Sequence, residues 1–87
     1  MQDISLGQIV ISTAGRDKGR KFVVLCIIDE KYVYISDGDI RKAEKPKLKK
    51  IKHLKKLNHV AEDIKDKLES CEKLSNSEIR KLLKSID

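Results

Sequence analysis

The residues of this chain best equipped for chemistry are cations set around glycines. From Thr13 to Lys21 the sequence runs TAGRDKGRK. Gly15 and Gly19 tolerate positive φ and close backbone approach, so this stretch can present backbone N–H groups beside Arg16, Lys18, Arg20 and Lys21. Exposed amides combined with guanidinium forks suit phosphate oxygens. Asp17 offsets part of the charge and is expected to orient Arg16 or Lys18. A second basic stretch, RKAEKPKLKKIKHLKK at 41–56, holds nine Lys and Arg against one Glu. Its candidates for contact with a polyanion are Arg41, Lys42, Lys45, Lys47, Lys49, Lys50, Lys52, His53, Lys55 and Lys56.

Other chemistries lack their residues. Cys26, His53, His59 and Cys71 are zinc-ligand types, but their spacing matches no compact ligand pair. Cys26 also sits inside the apolar run Phe22 to Ile28 and reads as a buried thiol. GRDKGR is not followed by the Gly-Lys-Ser/Thr of a phosphate-binding nucleotide loop. No Ser/His/Asp or Cys/His constellation has sequence support. The carboxylates Asp29, Glu30, Asp37 and Asp39 fall in turns, where turn chemistry explains them. The reading is therefore no enzyme, no cofactor and no metal.

The charge balance points the same way. The chain has 87 residues with a net charge of +6, 39% charged residues and only 3% aromatic. Residues 1–40 and 57–87 are close to neutral, so the excess comes from 41–56. Concentrated positive charge focuses potential and attracts polyanions. A membrane surface fits less well, because Pro46 breaks the segment and no broad apolar face accompanies it. No apolar run approaches the length of a membrane span. Met1, Gln2 and Asp3 show no basic leader pattern, which predicts a cytoplasmic protein.

The elements that must position these cations are short. QIVIS at 8–12 is β-branched and reads as a strand. KFVVLCIID is apolar on both parities, as in a strand buried on both faces or bent inside a barrel. Residues Asp29 to Lys31 make a tight reversal. YVYIS alternates, with Val33 and Ile35 on one face and Tyr32 and Tyr34 on the other. Asp37-Gly38 signals a hairpin, with Ile40 to Ala43 as a short returning strand. Leu48, Ile51, Leu54 and Leu57 recur every three residues, as a helix would, yet a short strand near Lys50 to Leu54 fits the β pattern better. From Asn58, a plausible N-cap, the period becomes helical, with Val60, Ala61, Ile64, Leu68 and Cys71 on one stripe. Ser75 and Glu78 have capping-box spacing ahead of a second stripe of Ile79, Leu82, Leu83 and Ile86. These stripes can pack on each other, on the strands or on a partner.

Four or five short consecutive strands imply antiparallel pairing, and closure into a small barrel protects their edges. The fold class is thus mainly β with α: a small antiparallel β-barrel followed by two short C-terminal helices. Residues 1–57 form the barrel and 58–87 a helical hairpin.

The segment Gly7 to Gly38, GQIVISTAGRDKGRKFVVLCIIDEKYVYISDG, resembles the KOW motif. Within KOW proteins it is similar to the archaeal and eukaryotic KOW-type large-subunit ribosomal proteins and their small bacterial relatives. In that pattern a glycine opens the first strand, matched by Gly7, and another precedes the second strand, matched by Gly19. An Asp-Gly closes the third strand, matched by Asp37-Gly38, and a basic stretch leads into the last, matched by Lys45 to His53. The resemblance covers about the first 57 residues, and the tail from Asn58 has no counterpart in it. It implies an SH3-like barrel that binds RNA, ribosomal RNA in particular. Sparse aromatics favour recognition of phosphates and shape over base stacking. The expected function is a ribosome- or translation-associated RNA-binding module, with the C-terminal helices holding a ribosomal or other protein. The alternative is a protein-interaction adaptor using the barrel or the tail, similar to KOW domains of transcription elongation factors.

Overall fold

A computed structural model describes residues 4–86. The leaderless N-terminus read at Met1 to Asp3 lies outside that range. Five strands are followed by two helices: β1 (Gln8–Ser12), β2 (Lys21–Ile27), β3 (Tyr32–Ser36), β4 (Lys47–Lys50), β5 (Leu54–Val60), α1 (Glu62–Glu69) and α2 (Asn76–Lys84), with a 3-10 turn at Ile51–His53. Every pairing is antiparallel, and the strand order is β4-β3-β2-β1-β5. The 3-10 turn carries the chain from one outer strand, β4, to the other, β5. This is the small barrel with C-terminal helices that the sequence implies.

The sheet has apolar layers on both sides, which is why β1 and β2 carry apolar residues at both parities. Inside the barrel, Val10, Phe22, Val24, Val33 and Ile35 pack with Ile51 and Leu54. On the opposite side, Ile9 and Val23 pack against Ala61, Ile64, Leu74 and Ile79 from the helical region. Ile79 is fully buried there. Burying such a side chain stabilises by roughly 1.5–3 kcal/mol, so the second stripe and Ala61, Ile64 and Leu68 of the first find their cover on this sheet, while Val60 belongs to β5 and Cys71 is exposed beyond α1. Leu82, Leu83 and Ile86 join the same layer half-buried. Among the described residues no helix is long and apolar enough to cross a membrane.

Four local expectations change. The turn at Asp37-Gly38 forms, but Ile40 to Ala43 is not a strand. The Asp37 carboxylate accepts from the amides of Asp39 and Arg41, both at 2.9 Å, and the Arg41 carbonyl accepts from Asp37 N and Gly38 N, which closes a tight turn at the end of β3 instead of starting a strand. The returning strand is β4, paired so that Tyr34 faces Leu48 and Tyr32 faces Lys50. The strand expected near Lys50 to Leu54 is instead the 3-10 turn, and the three-residue period there puts Ile51 and Leu54 in the barrel core. Asn58 is not an N-cap, because β5 continues to Val60 and α1 begins at Glu62. That extension is held by Gly7, whose carbonyl accepts from Ala61 N, and by the Gln8 amide, which donates to the Leu57 and His59 carbonyls across an irregularity in the β1–β5 register. Finally, Cys26 is exposed, as is Cys71. A bulge between Val24 and Cys26 breaks the alternation of β2, and the strand end then projects past both cores.

The two helices are joined by an ion pair. Ser75 caps α2 by accepting from Glu78 N at 3.1 Å, as the capping-box spacing implies, and its backbone N–H in turn bonds the Glu78 carboxylate. That carboxylate also pairs with Lys67 of α1. Hydrogen bonding to Lys67 holds the Glu78 carboxyl below its usual range. A depressed folded-state value means that the pair stabilises the fold above the ordinary carboxylate range, and this contribution fades as pH falls through the folded value. Melting temperatures across the acid range should therefore decline less steeply for Glu78→Gln than for the wild type. Parallel curves would show that the pair carries no pH-linked stability.

Candidate nucleic-acid interface

The loop from 13 to 20 is closed at its base by two bonds, Ser12 N to Arg20 O at 3.0 Å and Gly19 N to Ser12 O at 2.8 Å. Within it, Arg20 N donates to Asp17 O at 2.9 Å. Gly15 and Gly19 take φ of +79° and +87°, the left-handed conformation the sequence anticipates. The loop therefore holds a defined shape, with Arg16 and Lys18 exposed on it.

Asp17 does not orient Arg16 or Lys18. It turns inward, only 6% exposed, and accepts from Arg41 Nη2 at 3.2 Å. The reciprocal link joins Arg20 Nη2 to Asp37 Oδ2 at 3.3 Å. Each loop thus supplies one acid and one arginine to the other, which fixes the β1–β2 loop against the segment after β3. Asp37 is 7% exposed and is further held by its bonds to the Asp39 and Arg41 amides. These two acids anchor the site, although their sequence setting shows only a charge offset and a turn.

The lysine-rich stretch reaches the same end of the barrel by two contacts. Lys49 Nζ donates to Ala14 O at 3.1 Å, and Thr13 N donates to His53 O at 2.8 Å. The first seats β4 against the glycine loop, and the second seats the 3-10 turn against it. Lys50 at the end of β4, Lys52 on the turn, and Lys55 and Lys56 at the start of β5 are exposed, while His53 is half-buried.

The other expected cations are placed differently. Lys47 is half-buried on β4 opposite Ile35. Lys42 and Lys45 are exposed in a turn whose hydrogen bonds run to α2: Ala43 N donates to Asn76 Oδ1 at 2.7 Å, and Asn76 Nδ2 donates to the Glu44 carboxylate. Lys21 donates through Nζ to Ile86 O at 2.5 Å, tying β2 to the end of α2. Chemically, the shared end combines flexible ammonium groups with the Arg16 guanidinium, a set suited to several phosphates at once; the amides of Lys18, Gly19 and Arg20, expected to face a ligand, donate within the loop instead.

Among the described residues no group of three or more His, Cys, Asp or Glu converges as a metal site. No protein-family model matches the chain. It is similar to the large ribosomal subunit protein eL14 of Staphylothermus marinus, with 37% identity over 60 residues, 69% of this chain and 62% of that protein. It is also similar to the large ribosomal subunit protein eL14 of Desulfurococcus amylolyticus, with 37% identity over 54 residues, 62% of this chain and 56% of that protein. The chain therefore spans less than two thirds of the length of these curated relatives. Both similarities bear out the resemblance to archaeal large-subunit ribosomal proteins, and both relatives carry the names of ribosomal proteins rather than enzymes.

Proposed function

We propose that this chain is an RNA-binding module, associated with the ribosome or with translation, that holds structured RNA by its phosphates. The observation that carries the reading is the meeting of two basic segments at one end of the barrel, through the Lys49–Ala14 and Thr13–His53 bonds. Arg16, Lys18, Lys52 and Lys55 supply the exposed charge there, and Gly19 leaves open space beside the loop. Arg20 and Arg41 shape the loop through Asp37 and Asp17, and Arg20 keeps 42% of its side chain exposed for a ligand.

The aromatics support a phosphate-and-shape mode. Phe22 is buried in the barrel, and Tyr32 and Tyr34 are half-buried on β3, away from any continuous stacking platform. Proteins that bind without such a platform rely on backbone contacts, which structured RNA offers at high density. The ribosomal names of the relatives favour ribosomal RNA in the cytoplasm as the natural target. In this reading residues 1–57 carry the RNA site, while within 58–87 the helices α1 and α2 cover the sheet and remain open to a ribosomal or other protein.

Equilibrium binding of the purified chain to a structured RNA, a single-stranded RNA and a duplex DNA over a salt series tests the proposal. Tight binding that favours the structured RNA and weakens steeply with salt is expected. Weak binding to all three at low salt would overturn it and leave the protein-adaptor function.

A further inference from the structure

The cations of α2 are not distributed evenly around the helix, and one pair faces the proposed RNA site. Arg80 and Lys84 lie four residues apart and therefore share a helix face. They line a groove of about 430 Å3 together with Gly19, Arg20 and Lys21. Two contacts hold that face in place. Arg80 Nη1 donates to Gly38 O at 2.6 Å, and Lys21 Nζ holds the Ile86 carbonyl just beyond the helix.

We propose that this groove is a second phosphate-binding site, which carries the RNA backbone from the barrel end onto the helical tail. The inference rests on the RNA-binding reading above and extends it to residues outside both basic segments. Four cations line the groove against Asp37 and Asp39, and Asp37 is already engaged by Arg20. The guanidinium of Arg80 carries five N–H donors, of which the bond to Gly38 uses one. Lys84 is exposed at the groove. Nothing lies within 4 Å of where a Cβ on Gly19 would stand, so the floor beside the loop is open to a bulky ligand group. Continuity with Arg20 makes a phosphodiester chain the fitting occupant, since neighbouring phosphates of one strand can reach the loop and the groove together.

Lys81 provides an internal comparison. It lies on the same helix with the same charge but lines the separate groove between α1 and α2, beside Glu62, Asp63 and Glu78. Full-length Lys84→Glu and Lys81→Glu proteins are titrated with the structured RNA bound by the wild type, after thermal melting confirms that both fold. Lys84→Glu is expected to weaken binding about tenfold and to lower the salt slope by roughly one phosphate contact, with Lys81→Glu within about threefold of wild type. Equal losses in the two variants, or none in Lys84→Glu, would overturn the groove while leaving the RNA-binding reading intact. Failure of the wild type itself to bind structured RNA at low salt would overturn both.

Discussion

Gly38→Ala should lower the stability of the fold by about 3 kcal/mol or more, because it combines backbone strain with a direct clash. Gly38 has φ of +73°, and a Cβ there would stand 2.4 Å from the Asn76 carbonyl oxygen and 3.1 Å from the Ile79 Cβ. It would also meet Arg80 Cγ at 3.2 Å. The carbonyl belongs to the first residue of α2, so the clash can be relieved only by moving the helix. Moving it would lift Ile79 from the sheet and break the Arg80–Gly38 and Asn76–Ala43 bonds. Gly19→Ala is the matched comparison. It has φ of +87° with nothing within 4 Å of its Cβ position, so it incurs the strain alone, about 1–2 kcal/mol. Urea denaturation of the two variants should give clearly separated midpoints. Equal midpoints would mean that α2 is not seated on Gly38.

The second large effect concerns RNA. Reversing Arg16, Lys18 and Lys52 together to Glu should reduce affinity for structured RNA by about 100-fold or more and remove roughly two units or more from the slope of log K against log salt. These side chains are exposed, so the melting temperature should stay near that of wild type. Lys73→Glu, an exposed site on the turn between α1 and α2, should change affinity by no more than about threefold. Wild-type affinity in the triple variant would remove the loop and the 3-10 turn from the interface.

Much of the fold is legible in the sequence because its strands are short and strongly patterned. QIVIS, KFVVLCI and YVYIS declare themselves by β-branching and alternation, and the two-sided apolarity of β2 already implies layers on both faces. What escaped depends on bonds between residues distant in the chain. Asn58 has the chemistry of a cap, but pairing of Gln8 with Val60 keeps the chain extended past it. Cys26 lies in an apolar run, yet a bulge one residue earlier turns it out to solvent. The candidate site is legible in its cations and glycines and hidden in its anchors. Asp17 stands between two basic residues in sequence but binds neither, because Arg41 approaches from the other loop. The role of Lys84 is equally invisible, since helical period places it beside Arg80 but only the docking of α2 brings that face to Gly19 and Arg20.

On the proposed function, the end of the barrel formed by the glycine loop and the lysine-rich turn meets RNA. Two-dimensional amide NMR of the labelled full-length chain, titrated with a structured RNA at moderate salt, tests it residue by residue. The largest shift changes are expected at 13–20 and 50–56, with smaller ones at Arg80 and Lys84. Changes concentrated at Tyr32, Tyr34 and Leu48, or along the groove between α1 and α2, with the loop and turn unmoved, would contradict it.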